Sequence, residues 1–461
     1  MKYIDLFAGC GGLSLGLERA GFELALSVEK SEMACETFYH NFIKRLKTKD
    51  EWKQYADSSI LNQFNSKLIS KTLKELLDEP VLMQKLKEQN IDLVAGGPPC
   101  QGFSLAGRRN PDDVRNQLPW QFLEFVEAVR PKAVIIENVV GMSRRFKKHD
   151  KDAPFDQLQV ALSETGEGYI VQPVHVNAMH FGVPEHRPRL MILGIRKDIA
   201  LKLELKVTKE VWHSDFSDKV IPELIPALAP VPVVSSKDVR TVNDAIADLA
   251  GEETRTKTGK KFVADMKNAK LWNLKPLELD STPNQNTRNH QDKATHRFRL
   301  YQYLISQKLA SNTLNIPAIY EDKTARNMLR NLLAESQLPA TSGDGTVIAE
   351  SLEELVDLVV YLKTKKHSQR ALDPNKPSPT VVTLPDDYVH PTAPRIFTVR
   401  ELARFQSFPD AFEFRSKETT GSERRRFEVP QYSQVGNAVA PLLAYAVGNR
   451  IAEILKKNEI T

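Results

Sequence analysis

Cysteine is scarce in this chain, which has three cysteines among 461 residues. Three thiols cannot form the disulfide framework of a small secreted fold, so we expect a protein of the reducing cytoplasm. Long apolar runs are also missing, since no stretch approaches the ~18 uninterrupted apolar residues of a membrane-spanning helix. The N-terminus enters strand-like sequence at once, and Asp5 interrupts any signal-peptide core. We therefore expect neither a membrane segment nor a secretion signal.

A strong excess of one charge is absent too. The 64 lysines and arginines oppose 59 acidic residues, which leaves a net charge of +5. This balance permits a nucleic-acid partner without requiring one. The hydrophobic fraction of 41% is ordinary for a globular protein and excludes wholesale disorder. The length leaves room for two or three domains, or for one large domain with an insertion.

Strand and helix signals alternate up to about Arg196, which favours an α/β fold with a mainly parallel sheet. The predicted strands are Tyr3–Phe7, Glu23–Glu29, Ile91–Gly96, Ala133–Glu137, Tyr169–Val176 and Arg189–Ile195, with a further strand end near Asp57. The alternation then stops, and residues 221–234 are rich in proline. Helices are predicted again at Thr398–Phe405 and Asn437–Leu455. The sequence thus predicts a sheet domain, a long irregular insertion and a C-terminal helix that returns to the sheet.

A glycine-rich turn joins the first strand to the first helix. Gly9, Gly11 and Gly12 allow close approach of a ligand to the backbone, and the helix start offers free N–H groups. Glu29 ends the next strand and could accept hydrogen bonds from a ribose diol. A dinucleotide-binding oxidoreductase or a ligand-free α/β turn would carry the same pattern. A P-loop is excluded, because no Gly-Lys-Ser/Thr follows the glycines.

The residues from Gly96 to Ser104 form a loop directly after a buried strand. Two glycines and two prolines precede Cys100 and predict a rigid, sharply turning backbone at the carboxyl end of the sheet, where ligands of open α/β sheets bind. Cys100 is therefore the candidate nucleophile, whereas Cys10 and Cys35 fit small buried hydrophobes. We predict no metal site, because no second cysteine or paired histidine lies at ligand spacing.

Together these segments resemble the cytosine-C5 DNA methyltransferase family. The similar segments, in the family's order, are Asp5–Gly12, Gly97–Ser104, Glu137–Val139, Glu185–Arg189, Arg400–Asp410 and Gln434–Val439. The resemblance covers roughly residues 1–196 and 378–461. It implies a Rossmann-like, S-adenosylmethionine-dependent methyltransferase sheet domain with a second, smaller and irregular target-recognition domain.

The resemblance also implies a covalent mechanism. A thiolate adds to carbon 6 of cytosine and makes carbon 5 nucleophilic, and Cys100 is the predicted thiolate. Glu137 would hold N3 and the exocyclic amine, with Asn138 beside it. Arg189 would contact the cytosine O2, and Arg187 would lie near the cysteine and cofactor. Because a stacked base cannot reach such a loop, the target must flip out of the duplex.

The implied methyl donor is S-adenosylmethionine, which leaves as S-adenosylhomocysteine. Glu29 would hold its ribose, and Asp57 would meet the adenine amine. The predicted cofactor-binding residues are Phe7, Ala8, Gly9, Cys10, Gly11, Gly12, Glu29, Asp57, Leu118 and Asn437. Three positions depart from the family pattern: Glu185 stands where Gln is usual, Lys30 where a large apolar residue is common, and Ala438 where Ser is frequent.

The predicted domains are 1–196 with 430–461 for catalysis and 197–429 for target recognition. Within the second, Asn284–Tyr301 is the best DNA-facing piece, because Arg, Asn and Gln read base edges. A solvated polar loop is the alternative interpretation of this segment. The predicted DNA-binding residues are Gln101, Ser104, Arg288, Arg297 and Arg299. Arg424–Arg426 is a second basic run that fits phosphate contacts or a solvated face.

The leading hypothesis is a prokaryotic DNA cytosine-5 methyltransferase that acts on a specific duplex sequence. We expect a cytoplasmic, nucleoid-associated monomer that guards host DNA from a partner restriction endonuclease without requiring contact with it. A tRNA cytosine-5 methyltransferase and a catalytically inactive DNA-binding relative are the alternatives. The long insertion disfavours the first, and the intact Cys100, Glu137 and Arg189 disfavour the second.

Overall fold

The computed structural model describes residues 1–99, 117–143, 153–277, 282–309, 323–364, 366, 368–421, 423–424 and 427–460. Cys100, Gln101, Ser104, Arg425 and Arg426 lie outside the described residues. The strands are β1 Lys2–Leu6, β2 Glu23–Val28, β3 Leu68–Ile69, β4 Leu93–Gly96, β5 Ala133–Asn138, β6 Tyr169–Asn177, β7 Glu185–His186, β8 Pro188–Arg196, β9 Trp212–His213, β10 Ala340–Thr341, β11 Val347–Ala349, β12 Arg370–Ala371, β13 Ser378–Pro379 and β14 Tyr388–Val389.

The helices include short and long segments. They are α1 Gly12–Arg19, α2 Glu32–Phe38, α3 Lys49–Ala56, α4 Ile60–Asn65, α5 Leu73–Leu77, α6 Pro80–Glu88, α7 Leu118–Val129, α8 Pro154–Glu164, α9 Lys197–Lys202, α10 Val242–Ile246, α11 Lys257–Lys267, α12 Asp292–Ser306, α13 Lys323–Leu333, α14 Leu352–Leu362, α15 Val399–Phe405, α16 Gln431–Asn437 and α17 Pro441–Ile460. A π-helical turn, Tyr39–Ile43, continues α2.

Within the described residues the main sheet has eight strands in the order β3-β2-β1-β4-β5-β8-β6-β9. The first five run parallel, β8 runs antiparallel to β5, and β6 runs antiparallel to β8. The predicted α/β class is confirmed, with its carboxyl-end edge at β1, β4 and β5. Every residue of β4 is buried, as expected for a parallel strand covered on both faces.

Apolar side chains fill both faces of this sheet. One cluster joins the sheet to α1 and α17, and the other joins it to α5, α6, α7 and α8. The C-terminal helix thus returns to the sheet, but it begins at Pro441 rather than at Asn437, which ends α16.

The insertion adds two further clusters. One contains α10, α11 and α15 together with Cys10 and Leu15 from the first 20 residues. The other contains α12, α13, α14 and the two-stranded pairs β10–β11 and β12–β14. The strand β9 follows residue 196 and still pairs with β6, so the sheet extends past the predicted end of the first catalytic segment.

In the described part of the chain, no single helix is long and apolar enough to cross a membrane. Helices α16 and α17 together meet the length and composition criteria, with a 40° bend between them. Much of α17 is buried against the core.

Candidate active site

The turn after β1 has a backbone that requires glycine. Gly9 and Gly11 have φ angles of 56° and 99°, in the left-handed region that side chains with a Cβ rarely adopt. A Cβ on Gly11 would lie 2.4 Å from the Phe42 ring, and one on Gly12 would lie 2.3 Å from the carbonyl oxygen of Val439. A Cβ on Gly9 would meet nothing within 4 Å, so this point of the turn faces open space.

Glu29 follows β2 and holds the same turn. Its carboxylate accepts hydrogen bonds from the backbone N–H of Gly9 at 3.0 Å and of Ser31 at 2.7 Å. Burial raises the pKa of this carboxyl above its ordinary value. Each oxygen still has a lone pair for a further donor, so the residue can bind a diol while it fixes the turn.

The C-terminal segment closes this side of the site. Val439 contacts Gly12, and the adjacent α16 ends at the exposed Asn437. Leu118 is the half-buried first residue of α7. The glycine turn, Glu29 and the Asn437 segment therefore converge, as their sequence motifs predict.

Cys10 points away from solvent. Its thiol contacts the carbonyl oxygen of Gln434 at 3.7 Å, and burial raises its pKa to about 12. A thiol held protonated in the core is a poor nucleophile. The interpretation of Cys10 as a small buried residue fits this environment.

The prediction that a strand ends near Asp57 is wrong. Asp57 caps α3, is exposed and precedes β3 by eleven residues (68 − 57). Ser70 instead follows β3, beside Glu29, whose N–H donates to the carbonyl of Ile69. The Ser70 hydroxyl is buried beside the Cys35 thiol. The sequence analysis did not single out Ser70, because the short apolar pair Leu68–Ile69 is the only local indication of the strand that precedes it.

Glu137 and Arg189 form the second half of the site. They lie on β5 and β8, neighbouring strands of the sheet, and Arg189 Nε donates to Glu137 Oε1 at 2.9 Å. Both side chains are nearly buried, with exposures of 12% for Glu137 and 11% for Arg189. Burial and the nearby Arg187 lower the pKa of Arg189 to about 10, and the charge of Glu137 opposes that shift.

The strand end before Cys100 lies against this pair. A Cβ on Gly97 would lie 3.0 Å from Glu137 Oε2, so glycine leaves that oxygen accessible. Asn138 Nδ2 donates to the carbonyl of Pro98 at 2.9 Å and pins the loop to the end of β5. The described geometry therefore brings the stem of the Cys100 loop to the predicted acid.

Arg187 lies against the segment that contains Asn437, a predicted cofactor-binding residue, whereas Cys100 lies outside the described residues. Arg187 is 1% exposed and donates to the carbonyls of Gly436 at 2.7 Å and Ala438 at 2.8 Å, and to Glu185 at 3.2 Å. Glu185 also accepts from the N–H of Val381 at 2.6 Å. This buried ion pair clamps the backbone on both sides of Asn437, and Glu185 supplies a compensating negative charge.

The three predicted DNA-binding arginines of the insertion differ in how strongly contacts within the protein hold their side chains. Arg297 donates to the carbonyl of Leu362 at 2.9 Å, and Arg299 binds Asp344 at 2.9 Å. Both belong to internal contacts of the insertion. Arg288 is 37% exposed in its side chain, and its nearest acid, Glu418, is 3.7 Å away. Of the three, Arg288 remains the most available to a partner.

No group of three or more histidine, cysteine, aspartate or glutamate side chains within the described ranges could hold a metal ion. The polar groups that converge on the site are instead carboxylates, guanidinium groups and backbone N–H groups. This donor set suits the binding of an organic cofactor and a nucleobase.

Comparisons with known proteins agree with this geometry. The model of the family described as C-5 cytosine-specific DNA methylase matches residues 1–453. The type II methyltransferase M.AgeI of Thalassovita gelatinovora is 30% identical over 98% of this chain and 99% of its own length. The type II methyltransferase M.DdeI of Desulfomicrobium norvegicum is 28% identical over 98% of this chain and 88% of its own.

One solved structure shares the fold. It is described as a DNA modification methyltransferase encoded within a prophage of E. coli, with a TM-score of 0.50 and 22% sequence identity over 99% of both chains.

Proposed function

The chain belongs to the C-5 cytosine-specific DNA methylase family, and from that premise we propose how its residues perform the reaction. The protein is a DNA cytosine-5 methyltransferase. In our proposal it methylates carbon 5 of a cytosine that is flipped out of a specific duplex sequence. The observation that carries this proposal is that the Gly97–Pro98 stem of the Cys100 loop lies against Glu137, the partner of Arg189, and is hydrogen-bonded to Asn138.

Cys100 begins the proposed reaction. Its thiolate forms a bond to carbon 6, and the electrons of the 5,6 double bond move so that carbon 5 becomes nucleophilic. Carbon 5 then takes up the methyl group. Loss of the carbon 5 proton restores the double bond and expels Cys100. S-adenosylmethionine, when bound, supplies the electrophilic methyl group.

Glu137 and Arg189 stabilise the ring during this addition. Glu137 hydrogen-bonds N3 and the exocyclic amine, where charge develops, and Arg189 donates to O2. Their ion pair holds both side chains in place before the base arrives. Asn138 acts through Pro98, because its hydrogen bond positions the loop that carries the nucleophile.

The cofactor fits the other half of the site. The open space at Gly9 and the exposed Asn437 support binding of the methionine part near the Phe7–Gly12 turn. The carboxylate of Glu29, beside Gly9, can accept hydrogen bonds from the two ribose hydroxyl groups. We propose Ser70 in place of Asp57 for the adenine amine, because its buried hydroxyl follows β3 beside Glu29.

We further propose the biological setting. The names of the type II relatives support a role in protecting host DNA from a restriction endonuclease that recognises the same sequence. We propose that the enzyme works as a cytoplasmic monomer bound to DNA, with residues 197–429 as the recognition domain.

A trapping experiment tests this proposal. The protein is incubated with S-adenosylmethionine and duplex DNA that contains 5-fluorocytosine, which has no proton for the elimination step. We expect a denaturation-resistant adduct at Cys100, located by peptide mass spectrometry. Cys100→Ala should form no adduct, whereas Cys35→Ala should still form it. An adduct with tRNA but with no duplex, or methylation by Cys100→Ala, would contradict the proposal.

A further inference from the structure

A cavity of about 520 Å³ lies in the segment that joins α15 to α16. Its lining consists of Lys417, Thr419, Thr420, Gly421, Glu423 and Arg424. The Thr420 hydroxyl donates to Glu428, and Glu423 adds one exposed negative charge to the lining. The two cations, the Thr419 hydroxyl and the backbone N–H of Gly421 are donors that suit a phosphate oxygen. The proposed catalytic mechanism uses none of these residues.

The cations around this cavity differ in how far they are neutralised. Lys417 Nζ lies 2.6 Å from Glu428, which compensates its charge. Arg424 is exposed, and no hydrogen bond or ion pair joins its side chain to another residue that the structure describes. The nearby charge of Glu428 interacts with Arg424 electrostatically without a hydrogen bond. Among the described residues, the lining therefore has one guanidinium group, that of Arg424, without a direct partner.

The cavity is also connected to the catalytic centre. The N–H groups of Gln431 and Tyr432 donate to the carbonyls of Lys417 and Glu418, so the cavity segment is fixed to the first turn of α16. This helix has seven residues and is about 10 Å long at 1.5 Å per residue. Its other end is Asn437, beside the Arg187 clamp. One short helix thus separates the cavity from the active site, a distance within the width of a DNA duplex.

An exposed aromatic residue, Phe427, lies three residues after Arg424 in the chain. Its side chain is 86% exposed, and its N–H donates to the carbonyl of Arg424 at 3.0 Å. Exposed aromatic rings and cations occur together on surfaces that bind single-stranded nucleic acid, where rings stack on bases. On a duplex such a ring can contact a sugar.

We propose that this cavity binds a backbone phosphate of the duplex substrate, with Arg424 as its principal cation and Phe427 as an apolar contact beside it. This inference rests on the proposed function, because it needs duplex DNA as the partner. A phosphate contact carries no sequence information but fixes the register of the protein on the duplex. The cavity would hold the strand at a set distance from the flipped base.

Salt dependence tests the role of Arg424. Affinity for a fixed duplex is measured over a series of salt concentrations, since the logarithmic slope has a magnitude of about 0.9 for each phosphate that the protein neutralises. Arg424→Ala should weaken binding several-fold and reduce the magnitude of the slope by about 0.9. Arg424→Lys should keep most of the slope. Lys85→Ala, an exposed cation on α6 with the same charge change, should resemble the wild type.

Phe427→Ala supplies a second readout. It should weaken binding at every salt concentration without changing the slope, because the ring displaces no counterion. Arg424→Ala with the same slope as the wild type and Lys85→Ala would overturn the phosphate site. Equal decreases in affinity for Arg424→Ala and Lys85→Ala would also overturn it, as a general effect of charge. Failure of the wild type to bind any duplex would instead contradict the proposed function.

Discussion

At the scale of single residues, Asp5 is an acid buried in the centre of β1 with no exposed surface. Ser14 Oγ donates to one of its oxygens at 2.6 Å, and the other has no hydrogen-bond partner among the described residues. Burial raises its pKa to about 7, and the nearby Glu29 adds to the shift. Helix α1, which begins at the glycine-rich turn after β1, is therefore hydrogen-bonded through Ser14 to a carboxyl group whose pKa is about 7.

This shift predicts a pH-dependent stability. In the unfolded chain Asp5 ionises near pH 3.9, so between about pH 4 and 7 the folded state binds the extra proton. The free energy of unfolding should fall by about 1.4 kcal/mol per pH unit in this range, or about 4 kcal/mol in total. Asp5→Asn removes the titrating group. We expect its stability relative to the wild type to rise by about that amount as pH rises from 4 to 8.

Urea unfolding at a series of pH values measures this difference. Asp78→Asn, which removes an exposed carboxylate at the end of α5, serves as the control and should stay within ~0.5 kcal/mol at all pH values. A constant difference between Asp5→Asn and the wild type would contradict the prediction.

At the scale of elements, α1 and α17 pack closely because glycines line their contact. A Cβ on Gly16 would lie 2.4 Å from Ala444 Cβ and 2.5 Å from both the Pro441 carbonyl oxygen and the Tyr445 nitrogen. The backbones of the two helices therefore approach more closely than any larger side chain permits. This contact sets the position of α1, which begins at the cofactor turn.

Gly16→Ala should consequently destabilise the protein by about 1–3 kcal/mol, as overpacking does in well-packed cores. Thermal or urea unfolding measures the decrease. The double variant Gly16→Ala/Ala444→Gly should regain only part of it, because the remaining contacts are with backbone atoms. Unchanged stability of Gly16→Ala would show that the helices can separate without cost.

At the scale of the whole molecule, the insertion docks on the catalytic domain through Arg19. The guanidinium group of Arg19 lies 4.4 Å from the ring centre of Trp272 in the insertion and 4.6 Å from that of Tyr445 on α17. Asn273 donates to the carbonyl of Glu18 in the same region, at 3.3 Å. One cation thus joins α1, α17 and the insertion.

Arg19→Ala should loosen this junction and cost about 1–3 kcal/mol, since each partly desolvated cation–π contact contributes up to ~2 kcal/mol. We expect a lower unfolding temperature and faster proteolysis of the insertion. Arg19→Lys keeps the charge but removes the planar stacking, so its effect should be intermediate. Proteolysis of Arg19→Ala at the wild-type rate would argue against a docking role.

Local sequence patterns predicted most strands of the sheet and the convergence of several residues at its carboxyl end. Buried strands, glycines at positive φ and an acid at a strand end leave strong local patterns, which is why the neighbours of Gly9, Glu29 and Glu137 were predictable. The β3 strand has only two residues, which is too short to show an alternating or continuous apolar pattern. The strand end was therefore predicted near Asp57, whereas β3 ends at Ile69 and Ser70 follows it.

The availability of each arginine for a partner depends on contacts between residues far apart in the chain. Arg187 is bound to backbone more than 190 residues away in the chain, and Arg299 to an aspartate 45 residues away. Such contacts have no periodicity that a sequence could display, because they depend on how the insertion returns to the sheet. Composition and spacing place a charge in a segment, whereas burial and pairing determine whether that charge can reach DNA.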